Sequence, residues 1–271
     1  MTNENWASRA RASKVRQDAQ NQQLITVFER LLDKTTGAAE AANEILAIWN
    51  PVVRQNASDP RILRIGVLLC DIVRELGADL DTSNRLHKFL DAIGQHEIEN
   101  AAGYTIKNAW GGPYWTGLPG FALTFREYGI DVEPADELTI QEWLDQKDAF
   151  LNATTFAAVG LATKSTMSGM EFYVLPCFGQ TFNDDYEPPD AKSRITFFVP
   201  AASIWIMNAG ERIFRLCQNG QAGFDLEAWQ VWEQGFTSVA ANKEVEEDVR
   251  RAAKEAAIEM QRIKIISDER R

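Results

Sequence analysis

Few residues in this chain are of a type and spacing that could carry chemistry. The two histidines, His87 and His96, stand nine apart on either side of Gly94. They form no HExxH-like pair, so the nitrogen and sulfur ligand set of a zinc site is not expected and both read as surface groups. Cys70, Cys177 and Cys217 each sit in apolar sequence with no CxxC pairing, and small buried thiols are the ordinary outcome. No GxSxG, Walker or GxGxxG pattern occurs, which argues against the common hydrolases, nucleotide-binding folds and dehydrogenases. No metal and no cofactor are expected.

One acidic segment, Asn183-Asp184-Asp185-Tyr186-Glu187-Pro188-Pro189-Asp190, could in principle hold magnesium and through it a diphosphate. Helical terpene cyclases use an Asp-rich motif in that way, but the spacing here is off. Pro188-Pro189 also prevents the helical presentation by which two aspartates share a metal, so a solvated loop is the plainer reading.

The best pocket candidate is aromatic. Trp110, Tyr114, Trp115, Phe121 and Phe125 are interleaved with Gly111, Gly112, Pro113, Gly117, Pro119 and Gly120. Broken backbone beside large rings is a common lining for small-molecule sites. The competing reading is a packed loop that plugs the helices. Arg126 could lend the site polarity. Further along, Asn208, Glu211, Arg212 and Arg215 form a polar strip, and Glu211 and Arg215 at i,i+4 read first as a structural ion pair. Trp205 and Asn208 complete the expected ligand-binding set.

These residues need helices to position them. The central one is Pro200–Cys217, with proline at the first helical position and Ala202, Trp205, Ile206, Ala209, Ile213 and Leu216 at helical spacing. Ile204, Met207 and Phe214 widen that stripe, so the helix needs neighbours on most sides. Ahead of it, Leu24–Leu32 carries one apolar stripe. A second helix runs from 38 to 49, where Asn50-Pro51 stops or kinks it. Asp59-Pro60 opens a third, which Gly77 closes in a left-handed cap. Thr82 or Ser83 opens a fourth that ends at Gly94. Thr139 and Glu142 form a capping box for a long helix through Leu161. Asp225 caps another that carries Trp229, Trp232 and Phe236. From about Asn242, Val245, Val249, Ala253, Ala256, Met260 and Ile263 trace a narrow seam along a charged C-terminal helix. The run Ile195–Val199 could be a strand, but it has no second strand to pair with.

The expected fold is all-α. It is one domain of about ten helices, a bundle or αα-superhelix of antiparallel hairpins, with a polar and weakly helical segment over 1–20, a core over 21–240 and a long helix over 241–271. The formal net charge is −11, which repels phosphate backbones, so nucleic-acid partners are not expected. No run of 18 apolar residues is present, so no membrane span is expected. A charged N-terminus without an apolar stretch and an odd, sparse cysteine count point to the cytoplasm.

Taken in order, Trp115–Pro119, Trp143 before Asn152–Ala157, Met170–Leu175 and Pro200-Ala201-Ala202-x-x-Trp205-Ile206-x-x-Ala209-Gly210 resemble the helical domain-of-unknown-function family numbered 3632. The resemblance covers roughly Leu24 to Gly220. It implies a helical fold, a filamentous-fungal intracellular setting and a neighbourhood of specialised metabolism, with no activity and no site residue to carry over. From the residues themselves two functions are expected. The first is handling of a small apolar or aromatic molecule between the broken segment and the central helix. The alternative is a helical protein-interaction or scaffold module that self-associates through its C-terminal helix.

Overall fold

The structure, a computed structural model, describes residues 3–108, 111–131, 138–163, 165, 169–182, 191–221 and 223–269. Its elements are α1 (Asn3–Ala12), α2 (Ala19–Leu32), α3 (Ala38–Gln55), α4 (Leu63–Leu76), α5 (Leu80–Gly94), α6 (Phe121–Thr124), α7 (Ile140–Asp145), α8 (Lys147–Thr163), α9 (Val174–Phe182), α10 (Ala191–Gln218), α11 (Leu226–Ala241) and α12 (Glu247–Glu269). The fold is all-α. Among the described residues extended pairing is confined to two isolated bridges, Glu99 with Thr105 and Lys107 with Pro113. No helix among them is long and apolar enough to cross a membrane. The chain divides into two compact units, Met1–Asp131 with Lys164–Ser168, and Val132–Thr163 with Gly169–Arg271.

In the first unit the apolar stripes meet as their spacing requires. Leu24, Val27, Phe28, Leu31 and Leu32 of α2 are buried, and Phe28 meets Phe89 of α5 edge-to-face at 5.3 Å between centroids. α2 begins where Asp18 accepts a bond from the Asn21 backbone N–H at 3.0 Å. The expected stop at Asn50-Pro51 does not occur, and α3 runs through Pro51 to Gln55. Burial of Trp49 and Val53 on either side of the proline outweighs the one backbone bond that it removes. Asp59 and Pro60 open the next element as expected, through a 3₁₀ turn into α4. Gly77 is not left-handed: its φ is −65°, and it closes α4 by donating to the Val73 carbonyl at 2.8 Å. Its own carbonyl accepts from Ser83 Oγ at 2.8 Å, so Ser83 tethers the turn while Asp79 caps α5.

The N-terminal segment is more ordered than its polarity suggests. α1 buries Trp6, Ala7 and Ala10. Arg9 pairs with Glu75, Arg11 with Glu29 and Arg16 with Asp71. The charges of this stretch are partners for α2 and α4, and a reading of it as solvated chain has no way to find them.

In the second unit α10 packs against α7, α8, α9, α11 and α12, as an all-round apolar helix must. It begins at Ala191 rather than Pro200, so Ile195–Val199 is helical and Pro200 lies inside the helix. Phe197 explains this, because it stacks on Trp143 at 4.3 Å and lies 5.3 Å from Phe150. The capping box of Thr139 and Glu142 is present. The helix that it opens is divided at Gln146 into α7 and α8. Ser203 donates to the Ala252 carbonyl and Gln218 to Ser267 Oγ, both at 2.9 Å. The two pairs advance in the same direction, so α10 and α12 are parallel and α11 makes the return. Every seam residue from Val245 to Ile263 is buried.

Candidate functional site

Tyr114, Trp115, Phe121, Phe125 and Arg126 belong to the first unit, and Trp205 and Asn208 to the second. Trp110 and the acidic stretch 183–190 lie outside the described residues. In the first unit the polar tips of the aromatic segment are met by protein atoms. Trp115 is fully buried and its Nε1–H donates to Asn50 Oδ1 at 3.0 Å. Asn50 Nδ2 stands 3.2 Å from His96 Nε2. Tyr114 Oη donates to the Ala57 carbonyl at 2.7 Å, and burial, with Asp59 nearby, pushes its hydroxyl up to about 12. Thr116 Oγ1 donates to the Gly94 carbonyl at 3.1 Å. The segment therefore clamps the C-terminal half of α3 against the end of α5.

Phe121 and Phe125 are buried over small residues of α4. A Cβ at Gly66 would stand 3.3 Å from the Phe121 ring. The chain then winds as a π-turn, Phe125–Gly129. A Cβ at Gly129 would come within 2.5 Å of the Phe125 ring and 3.2 Å of Cys70 Sγ. Arg126 is exposed and pairs with its neighbour Glu127 at 2.9 Å.

In the second unit Trp205 is buried beside the Cys177 thiol. Asn208 is half-buried and donates to the Ile204 carbonyl one turn back, at 2.9 Å. Arg215 pairs with Glu211 at 3.5 Å, and Arg262 bridges Glu211 at 4.0 Å and Glu259 at 2.5 Å. Glu211 and Arg215 of the polar strip thus belong to an exposed ion-pair chain, and each such pair contributes little.

His87 is buried on α5 rather than at the surface, and His96 is half-buried. Three or more His, Cys, Asp or Glu side chains gather nowhere among the described residues closely enough to hold a metal ion. All three cysteines are buried as expected. Burial raises the Cys70 thiol and pushes Cys177 and Cys217 up to about 12, so none is an activated nucleophile.

One concave site was missed in the sequence. Antiparallel α2 and α3 leave between them an open groove of about 450 Å³, lined by Gln22, Gln23, Thr26, Val27, Arg30, Glu44, Ala47 and Ile48. Val27, Ala47 and Ile48 supply its apolar surface. At the loop end Arg30 pairs with Glu44, and the Arg30 Nε–H is buried with no partner among the described residues. At the far end Gln22 Nε2 donates to the Arg16 carbonyl at 2.7 Å. None of these residues is of a type that marks a site. The available signal was Ala47 and Ile48 on an otherwise polar face, one turn before a proline.

The family model described as protein of unknown function (DUF3632) matches residues 67–236, from within α4 to within α11. No curated protein and no solved structure matches the chain.

Proposed function

The chain belongs to the DUF3632 family of proteins of unknown function, and from that premise we propose that it is a small-molecule binder whose ligand sits in the groove between α2 and α3. The observation that carries this reading is the groove itself: about 450 Å³, an apolar floor of Val27, Ala47 and Ile48, and a rim of amide and charged groups. Its volume is that of a ligand site, and a few fixed polar groups around an apolar surface are how such sites orient what they hold. The groove precedes the residues that the family model matches, so the binding is proposed for this chain. The aromatic segment serves the site indirectly. Trp115 holds α3 by Asn50, and Tyr114 holds the turn after it by Ala57.

The test is native mass spectrometry of the protein purified from its own host, beside an Ala47→Phe variant. Ala47 is exposed, so the larger side chain fills the groove without entering the core. A retained ligand on the parent that the folded variant lacks is the expected result. A ligand held equally by both places binding elsewhere and removes the reading.

A second reading, self-association through α12, has one observation in its favour. With the seam of α12 buried, Ile258 and Ile265 remain more than half exposed, at 57% and 59%, one heptad apart on the same helix. Sedimentation velocity of the parent and of an Ile258→Glu/Ile265→Glu variant tests it. A parent dimer that the variant abolishes supports the reading, and a monomeric parent ends it.

A further inference from the structure

We infer that the groove selects ligands carrying an N–H or O–H donor, and that the group receiving it is the backbone carbonyl of Ala47. The inference rests on the groove reading above and adds the chemistry of the ligand to it. In an α-helix the carbonyl of residue 47 points along the axis toward the N–H of residue 51. Residue 51 is proline, inside α3, and proline has no N–H to give. Ala47 and Pro51 are both exposed, so the carbonyl lies on the solvent side of α3, beside the proline ring. Glu44, Ile48 and Pro51 follow at i, i+4 and i+7, the spacing of one helical face. Glu44, Ala47 and Ile48 all line the groove, so the freed acceptor stands at its edge, on the side of Pro51.

The other acceptors of the lining, the amide oxygens of Gln22 and Gln23 and the carboxylate of Glu44, sit on rotatable side chains. Thr26 Oγ1 donates to the Gln22 carbonyl at 2.9 Å. Gln22 commits its amide nitrogen to Arg16. Glu44 accepts from Arg30, whose free Nε–H is itself a donor. Against an apolar floor, the carbonyl of Ala47 is the fixed acceptor that a ligand can meet. A ligand that covers this carbonyl without a donor leaves it desolvated and unpaired, which is the costly half of the hydrogen-bond balance. The groove therefore rejects purely hydrocarbon ligands of the same shape and favours phenols, indoles, secondary amides and their kind.

Paired probes that differ by one N-methyl group test this on the full-length protein, with binding read from amide shifts of α2 and α3 in heteronuclear NMR. Indole carries one N–H donor, and 1-methylindole carries none. The variant Pro51→Ala restores the missing helical N–H, satisfies the carbonyl internally and leaves the lining side chains in place. Indole is expected to bind the parent about threefold to tenfold more tightly than it binds Pro51→Ala, the worth of one hydrogen bond. 1-Methylindole is expected to bind both alike. Indole affinity that does not change on Pro51→Ala overturns the role of the Ala47 carbonyl while leaving the groove as a site. A parallel loss for both probes likewise overturns it, because that reports altered helix shape. Failure of both probes to shift α2 and α3 in the parent overturns the groove reading and this inference together.

Discussion

Trp115 donates its indole N–H to Asn50 Oδ1 across 65 residues of sequence, at 3.0 Å, and this bond fixes the direction of a three-residue chain. An indole can only donate, so the Asn50 oxygen must face it and the Asn50 amide nitrogen must face His96 Nε2 at 3.2 Å. That nitrogen carries the protons, so His96 Nε2 is the acceptor and the neutral ring holds its proton on Nδ1. Nitrogen-15 NMR of His96 in its neutral form is expected to show the Nδ1–H tautomer. Trp115→Phe keeps an aromatic side chain but removes the donor and part of the buried ring system, leaving a desolvated Asn50 oxygen that costs about 1–3 kcal/mol and a cavity that adds to the loss. It also frees the Asn50 amide to turn, so His96 should lose its single tautomer. Denaturant unfolding and the same nitrogen-15 spectrum read both effects, and a Trp115→Phe protein with unchanged stability contradicts them.

Two glycines in the second unit separate a yielding contact from a rigid one. A Cβ at Gly210 of α10 would stand 2.6 Å from Ile263 Cδ1, the tip of a flexible chain. A Cβ at Gly235 of α11 would come within 2.4, 2.7 and 2.9 Å of three ring atoms of Phe182. That ring is held at 4.9 Å by Phe236 and at 6.2 Å by Phe178, so it cannot step aside alone. Gly210→Ala is expected to change stability by less than about 1 kcal/mol, since the helix propensity gained offsets the contact. Gly235→Ala is expected to lose about 1–3 kcal/mol, the usual cost of overpacking. Equal midpoints in guanidinium for the two variants would contradict this ordering.

The ion pairing that attaches the N-terminal helix depends on pH in a direction that its carboxylates set. Glu29 is held below its ordinary value chiefly by the bond from Arg11. Asp18 is lowered chiefly by the Asn21 backbone N–H, with Arg64 adding to it. A carboxylate lowered by folding binds fewer protons folded than unfolded. Its contribution is therefore complete above the ordinary carboxylate range and disappears as pH falls through the lowered value. Glu29 ties α1 to α2 and Asp18 caps α2, so the amides of Trp6–Ala10 are expected to lose hydrogen-exchange protection as pH falls below the ordinary carboxylate range, about 4, ahead of the amides in α5. Simultaneous loss in α1 and α5 would show that this ion pairing has no local role.

Much of this fold is legible in the sequence because it is written locally. The α12 seam, the Thr139–Glu142 box, the Asp225 cap and the α2 stripe each depend on residues within a turn or two of one another. Pro51 and Pro200 mislead for the opposite reason. Local chemistry says that proline ends a helix, and only the burial of Trp49 and the distant ring partners of Phe197 show that packing outweighs the missing bond. The candidate groove is hidden in the same way. Its lining is ordinary in type and becomes a site only when α2 and α3 are set side by side. The aromatic segment announces itself by composition, yet what Trp115 and Tyr114 are for is decided by Asn50 and Ala57, more than 50 residues upstream.

The parallel pairing of α10 with α12 yields a last prediction. Val249, Ala253, Ala256 and Met260 are wholly buried, which makes α12 part of the core of its unit and not an appendage laid over it. Deleting residues 242–271 removes that wall from α10 and opens the Ser203 and Gln218 attachments. Removing one buried Met alone costs about 2–5 kcal/mol, and four seam positions together exceed the stability of an ordinary domain. The thiols report the outcome without any added label. In the intact protein Cys177 and Cys217 are buried, with burial holding each thiol near 12, so neither should react with a disulfide reagent at pH 8. In the truncated chain both should react at the rate of unfolded cysteine. Protection of Cys217 after the deletion would mean that α10 keeps its packing without α12, and the seam would then be a peripheral contact.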